Sequence, residues 1–123
     1  MTDRRHDFGR RGEQRAEEYL RSLGWQILER NWRCREGEVD IVARDPQADA
    51  LVVVEVKSRS GTGYGTPLEA ITYRKVMRLR QLAAIYARGS RVRTRRLRVD
   101  AIGLVWPRGG DCELIHARGI EEL

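Results

Sequence analysis

The sequence predicts an α/β fold, a mixed central sheet flanked by helices, and three features predict it. Residues 51–57, Leu-Val-Val-Val-Glu-Val-Lys, are a valine-rich run of strand length that reads as buried on both faces. Two longer segments, 8–23 and 67–88, repeat their apolar residues at helical spacing. The second lies between the valine-rich strand and a later strand-like run, and it is long enough to cross over between parallel neighbours. At 123 residues the chain fits one domain, 1–123, with one core. Fold and site therefore share one sheet.

In the first helix Phe8, Gly12, Ala16, Tyr19, Leu20 and Leu23 form the apolar stripe, and Gly24 supplies the stop. Glu13 falls beside Leu20 on the edge of that stripe. Either an inward-looking carboxylate or a rim carboxylate near a helix N-terminus suits this position. Residues 25–33 read as a half-exposed first strand, and Glu36-Gly37 as a turn. Residues 38–43 form a second strand, ended by the turn signals of Asp45-Pro46-Gln47. Its alternation puts Glu38 and Asp40 on one face and Val39, Ile41 and Ala43 on the other. Short turns make these strands and the valine-rich third an antiparallel meander.

Residues 60–67 are glycine-rich but lack the Gly-Lys-Ser/Thr ending of a phosphate-binding nucleotide loop, so a flexible loop flanking a cleft is the expectation. Thr66-Pro67 reads as an N-cap with proline at the first helical position. The helix is then expected over 67–88, stopping at Gly89. Residues 97–105 form a fourth strand, Pro107-Arg108-Gly109-Gly110 a turn, and residues 113–117 a short partner strand.

Two charges stand inside the valine-rich strand. Glu55 and Lys57, two residues apart, point to the same face. Charge buried in a sheet is costly unless it is paired or has a use. Of 24 basic residues only Lys57 and Lys75 are lysine. A compact ammonium whose pKa can shift is a different instrument from a guanidinium, and here it is kept for two positions. Lys75 falls near the centre of the second helix's apolar face. It either reaches a buried anionic centre or snorkels its stem to the rim.

The net charge of +6 is uneven, with Arg88, Arg91, Arg93, Arg95, Arg96 and Arg98 crowded together. Such a cluster fits either a polyanion surface or a solvated basic loop. Cys34 and Cys112 are too few for a disulfide framework or a Cys-x-x-Cys metal site and read as reduced, half-buried thiols. No apolar run reaches membrane-spanning length, and residues 1–6 lack a signal-peptide apolar region. The expectation is a cytoplasmic protein without a membrane partner. His6 and His116 have no partners at ligand spacing.

Glu13, Asp40, Glu55 and Lys57 form a set with a plausible geometry, since strands about 4.8 Å apart let Asp40 and Glu55 share a site. Hard carboxylate oxygens on one side of a cleft suit Mg²⁺ or Mn²⁺. An ion so held activates water and stabilises charge on a phosphoryl group. The lysine would orient that water or help deprotonate it.

Asp40 followed by Glu55-Val56-Lys57, with Glu13 in the first helix and an αβββαβ order, resembles the PD-(D/E)xK nuclease superfamily, which includes restriction endonucleases and Holliday-junction resolvases. Gly12-Glu13, Asn31, Gly37-Glu38-Val39-Asp40, Val54-Glu55-Val56-Lys57 with Arg59, Lys75, and Arg98-Val99-Asp100 together resemble the small bacterial YraN-like family of predicted endonucleases, over nearly the whole chain. The proline that names the superfamily motif is replaced here by Val39. The resemblance implies a restriction endonuclease-like core, metal ligation by Asp40 and Glu55, a catalytic role for Lys57 and an active-site role for Glu13.

The function expected is metal-dependent, structure-selective hydrolysis of phosphodiesters in branched or damaged DNA, with DNA ahead of RNA as substrate. Lys75, Arg59, Arg91, Arg93, Arg95 and Arg96 would hold the nucleic acid by its phosphates. Cutting both strands of a junction would need a homodimer. The alternatives are a catalytically silent nucleic-acid-binding module on the same fold, a structural partner of another cytosolic machine, and an ion-pair network without function.

Overall fold

A computed structural model describes residues 4–61 and 67–122 of the chain. The elements run α1 (Arg4–Ser22), β1 (Gln26–Cys34), β2 (Gly37–Asp45), β3 (Ala50–Ser60), a 3₁₀ turn (Pro67–Ala70), α2 (Tyr73–Gly89), β4 (Arg96–Trp106), β5 (Glu113–Ala117) and a closing 3₁₀ turn (Ile120–Glu122). Five strands form one mixed sheet in chain order. The first three make the expected antiparallel meander, β3 and β4 run parallel, and β5 returns antiparallel. Parallel neighbours need a crossover, and α2 supplies it.

The valine-rich strand holds the layers together because its alternate residues serve opposite faces. Ala50, Val52 and Val54 pack with Ala16 and Leu20 of α1 and with Ile102 and Leu104 of β4. Leu51 and Val53 pack with Leu79, Leu82 and Ala83 of α2. Each fully buried valine or leucine stabilises by about 1.5–3 kcal/mol relative to exposure. The helices thus cover opposite faces of the sheet. Cys34 and Cys112 are free and half-buried. Among the described residues no helix is long and apolar enough to cross a membrane.

Two expectations need correction. The helix expected over 67–88 is divided: Pro67–Ala70 form a single 3₁₀ turn, and α2 begins only at Tyr73. The cap is Thr72, in extended backbone, whose Oγ1 accepts from the Lys75 N–H at 3.1 Å. A threonine hydroxyl satisfying an orphan helical donor competes well with a proline start. Thr66 and the other residues of 62–66 lie outside the described residues. The second correction concerns β2. Ile41 and Ala43 join the core under α1, whereas Val39 lies with Val42 under α2. The alternation breaks at Asp40, where the ladder to β3 has ended at Ile41 and Val54. Asn31, between the pairs Arg30/Ile41 and Trp32/Val39 on β1, takes left-handed backbone with φ 53°.

A buried polar network fixes α1 to the far strands. Asp100 is fully buried, and its Oδ2 lies 2.8 Å from His116 Nε2. Its Oδ1 accepts from Arg98 Nε at 2.9 Å and from the Gly119 N–H at 3.0 Å. Arg98 continues to Asp45 at 3.0 Å. An ionised Asp100 makes His116 Nε2 the donor, and Nδ1 hydrogen-bonds the Tyr19 hydroxyl of α1 at 3.0 Å. Burial alone would push Asp100 up. The hydrogen bonds from His116, Arg98 and Gly119 outweigh it and hold the carboxyl below its usual range.

Candidate functional site

Glycine at position 12 lets α1 lie against β3. A Cβ there would run into Ser58 Oγ and crowd Leu104 Cδ1 at 3.3 Å. Ser58 directly follows Lys57, so this close approach brings the next helical residue, Glu13, to the strand positions that carry charge. Glu13 is half-buried and acts electrostatically on Asp40. Of its two readings from sequence, the inward-looking one holds.

Asp40 sits where β2 parts from β3. Its register position is opposite Glu55, one step beyond the last ladder pair, Ile41 with Val54. The side chain takes over from the backbone: Asp40 Oδ2 accepts from the Val56 N–H at 2.8 Å. The Asp40 and Glu55 carboxyls are neighbours at this separation, and each disfavours charge on the other. Burial first, then Glu55, and more weakly Glu13, push the Asp40 carboxyl up to about 8 against the opposing pull of the Val56 N–H.

Glu55, itself only 6% exposed, is met from α2. Lys75 Nζ stands 3.3 Å from Glu55 Oε2. Lys75 lies in the first turn of α2, where the Thr72 cap fixes its backbone. It reaches the anionic centre. Lys57 is half-buried, two residues beyond Glu55 on the same face of β3, with Gly103 beside it on β4. Arg59 follows on that face and is also half-buried.

The structure therefore gathers Glu13, Asp40, Glu55 and Lys75 and places Lys57 beside them. The two helices approach from opposite faces of the sheet, α1 contributing Glu13 and α2 Lys75. Arg91, Arg93, Arg95 and Arg96 are exposed but stand elsewhere. Arg96 pairs with Ala50, five residues back along β3 from Glu55, or about 17 Å. The N–H groups of Arg95 and Arg96 donate to Asp49 O at 3.0 and 3.2 Å, tying that loop to the sheet's opposite end.

Among the described residues no three His, Cys, Asp or Glu side chains stand close enough, as placed, to hold one ion. Asp40 and Glu55 do fit a hard divalent ion. They offer neighbouring carboxyls at a strand separation, and Mg²⁺ or Mn²⁺ commonly fills its remaining positions with water.

Sequence reasoning missed Thr72 and His116. A threonine three residues before Lys75 was available as a cap signal. Tyr19 and His116 are 97 residues apart, and no local pattern announces their contact.

Fold and site together define a mixed α/β protein with a carboxylate–lysine centre at the splayed edge of two strands. The chain belongs to the uncharacterised protein family UPF0102, which it matches over residues 12–104. It is 50% identical over 107 residues to a UPF0102 protein of Clavibacter michiganensis, covering 87% of this chain and 89% of that one. A UPF0102 protein of Mycolicibacterium smegmatis is 46% identical over 116 residues, 94% of each chain. One from a Nocardioides species is 49% identical over 113 residues, 92% of this chain and 90% of that one. The matched region contains Glu13, Asp40, Glu55, Lys57 and Lys75.

Proposed function

We propose that the chain is a metal-dependent, structure-selective endonuclease that hydrolyses phosphodiester bonds in branched or damaged DNA, on a restriction endonuclease-like core of the PD-(D/E)xK type. The observation that carries this reading is the juxtaposition of Asp40 and Glu55 at a strand separation, with Asp40 held by the Val56 N–H and Glu55 buried and faced by Lys75. A carboxyl raised to about 8 by burial and then by Glu55 is costly to keep in a sheet that could hold apolar residues instead.

Asp40 and Glu55 would hold Mg²⁺ or Mn²⁺, which when bound activates water and stabilises charge on the phosphoryl oxygens. Lys57, on the face of Glu55, would orient the attacking water, whose proton passes to bulk water. The water oxygen bonds to phosphorus as the ester P–O bond breaks, and the leaving oxygen takes up a proton from bulk water. Glu13 adds negative charge from α1, which favours cation binding, and Lys75 neutralises Glu55. Cutting both strands of a junction requires two copies of this single-site domain.

The catalytically silent nucleic-acid-binding module draws support from one observation, the Lys75–Glu55 ion pair, which already satisfies a charge that catalysis would use. Cleavage of labelled duplex, flap, four-way junction and single-stranded DNA with Mg²⁺ or Mn²⁺, with Lys57→Ala alongside, separates the two. Cutting that needs both the ion and Lys57 is the expected result. Salt-sensitive binding without cutting would favour the silent module.

A further inference from the structure

An open groove of about 910 Å³ flanks α1, and four of its lining residues are arginines: Arg10, Arg11, Arg15 and Arg30. By helix position and strand register it flanks Glu13 and Asp40 on the α1 face of the sheet, whereas Glu55 and Lys57 point to the α2 face. Arg10 is one helical turn before Glu13, and Arg11 precedes the Gly12 that abuts Ser58. Arg30 pairs with Ile41, the neighbour of Asp40. The far wall is Trp106, opposite Ser60 on β3.

The lining also holds one carboxylate, Glu18, so the arginines leave the groove with an excess of positive charge. Among the described residues Arg10, Arg11 and Arg15 form no ion pair. The Arg11 guanidinium lies 4.7 Å over the Trp106 ring, a contact that holds it in place without neutralising it. Arg30 is held by the neutral Gln14 at 3.0 Å and only distantly, at 3.8 Å, by Glu17. Planar guanidinium forks held along a groove suit successive phosphates of a nucleic-acid strand.

We propose that nucleic acid reaches the carboxylate centre along this α1 groove, held by its phosphates on Arg10, Arg11, Arg15 and Arg30, and not by way of the arginine loop near Asp49. The inference rests on the nuclease reading for what the centre does. The loop stands at the N-terminal ends of β3 and β4, whereas the groove borders the half of the sheet where Glu55 and Lys57 lie.

The test is binding without turnover: anisotropy of labelled duplex and single-stranded DNA in EDTA, from 50 to 200 mM salt. Three proteins are compared: the unaltered chain, Arg10→Ala/Arg15→Ala, and Arg93→Ala/Arg95→Ala/Arg96→Ala. Thermal melting checks that each is folded. The groove variant should bind about tenfold more weakly, with a salt slope flatter by about 2, as for two lost phosphate contacts. The loop variant should change less than about twofold. A loop variant that loses as much as the groove variant or more would overturn the groove while leaving the nuclease reading in place. An unaltered protein that binds no DNA at low salt would overturn both.

Discussion

Asp40 is the residue on which the chemistry turns, because three demands meet on one carboxyl. It accepts from the Val56 N–H, is buried beside the Glu55 carboxyl and feels the charge of Glu13. The sign of its contribution to stability follows from linkage. The folded chain holds a proton up to about pH 8 that the unfolded chain releases near its ordinary value of 3.8. This contribution is fully present below that ordinary value and is lost as pH rises towards 8. In EDTA, urea unfolding of the unaltered protein should therefore show stability falling between about pH 4 and pH 8. Asp40→Asn, which keeps an oxygen for Val56 and offers Glu55 a donor, should flatten that slope. An equal slope in both proteins would show that Asp40 does not carry the proton.

At the scale of elements, close approach and a buried anchor position α1. Gly12→Ala forces a methyl group into Ser58 Oγ and Leu104. Overpacking of this kind costs about 1–3 kcal/mol. Ser58→Ala removes the nearest obstructing atom, so the double variant should recover part of the loss in a double-mutant cycle. Additive losses would place the clash elsewhere. Asp100→Ala strips Arg98, His116 and Gly119 of their shared acceptor. Removing one partner of a buried ion pair costs about 3–5 kcal/mol, which denaturant unfolding at neutral pH would read. Because the Asp100 carboxyl is held below its usual range, its stabilisation is present at neutral pH. It is lost only as pH falls through that depressed value, outside the window set by Asp40.

For the whole molecule, the layering was legible because β-branched residues and helical periods are local signals. The valine run, the crossover and the short fifth strand all stand where the sequence places them. The shared face of Glu55 and Lys57 followed from strand alternation, and the inward aim of Lys75 was one of two readings left by its helical phase. Other features depend on contacts distant in sequence. The break of β2 at Asp40 involves Asn31 and the end of a ladder, and the anchoring of α1 links Tyr19 to His116. A dense run of arginines looked like the nucleic-acid surface, yet strand register sets it about 17 Å along the sheet from Glu55. The central claim, that the buried carboxylates exist to hold a divalent ion, is tested most directly by calorimetric titration of Mn²⁺ at neutral pH in buffers of different ionisation enthalpy. The expected result is binding with proton release, abolished by both Asp40→Asn and Glu55→Gln in proteins that remain folded. No binding by the unaltered chain, or binding that both substitutions leave intact, would contradict it.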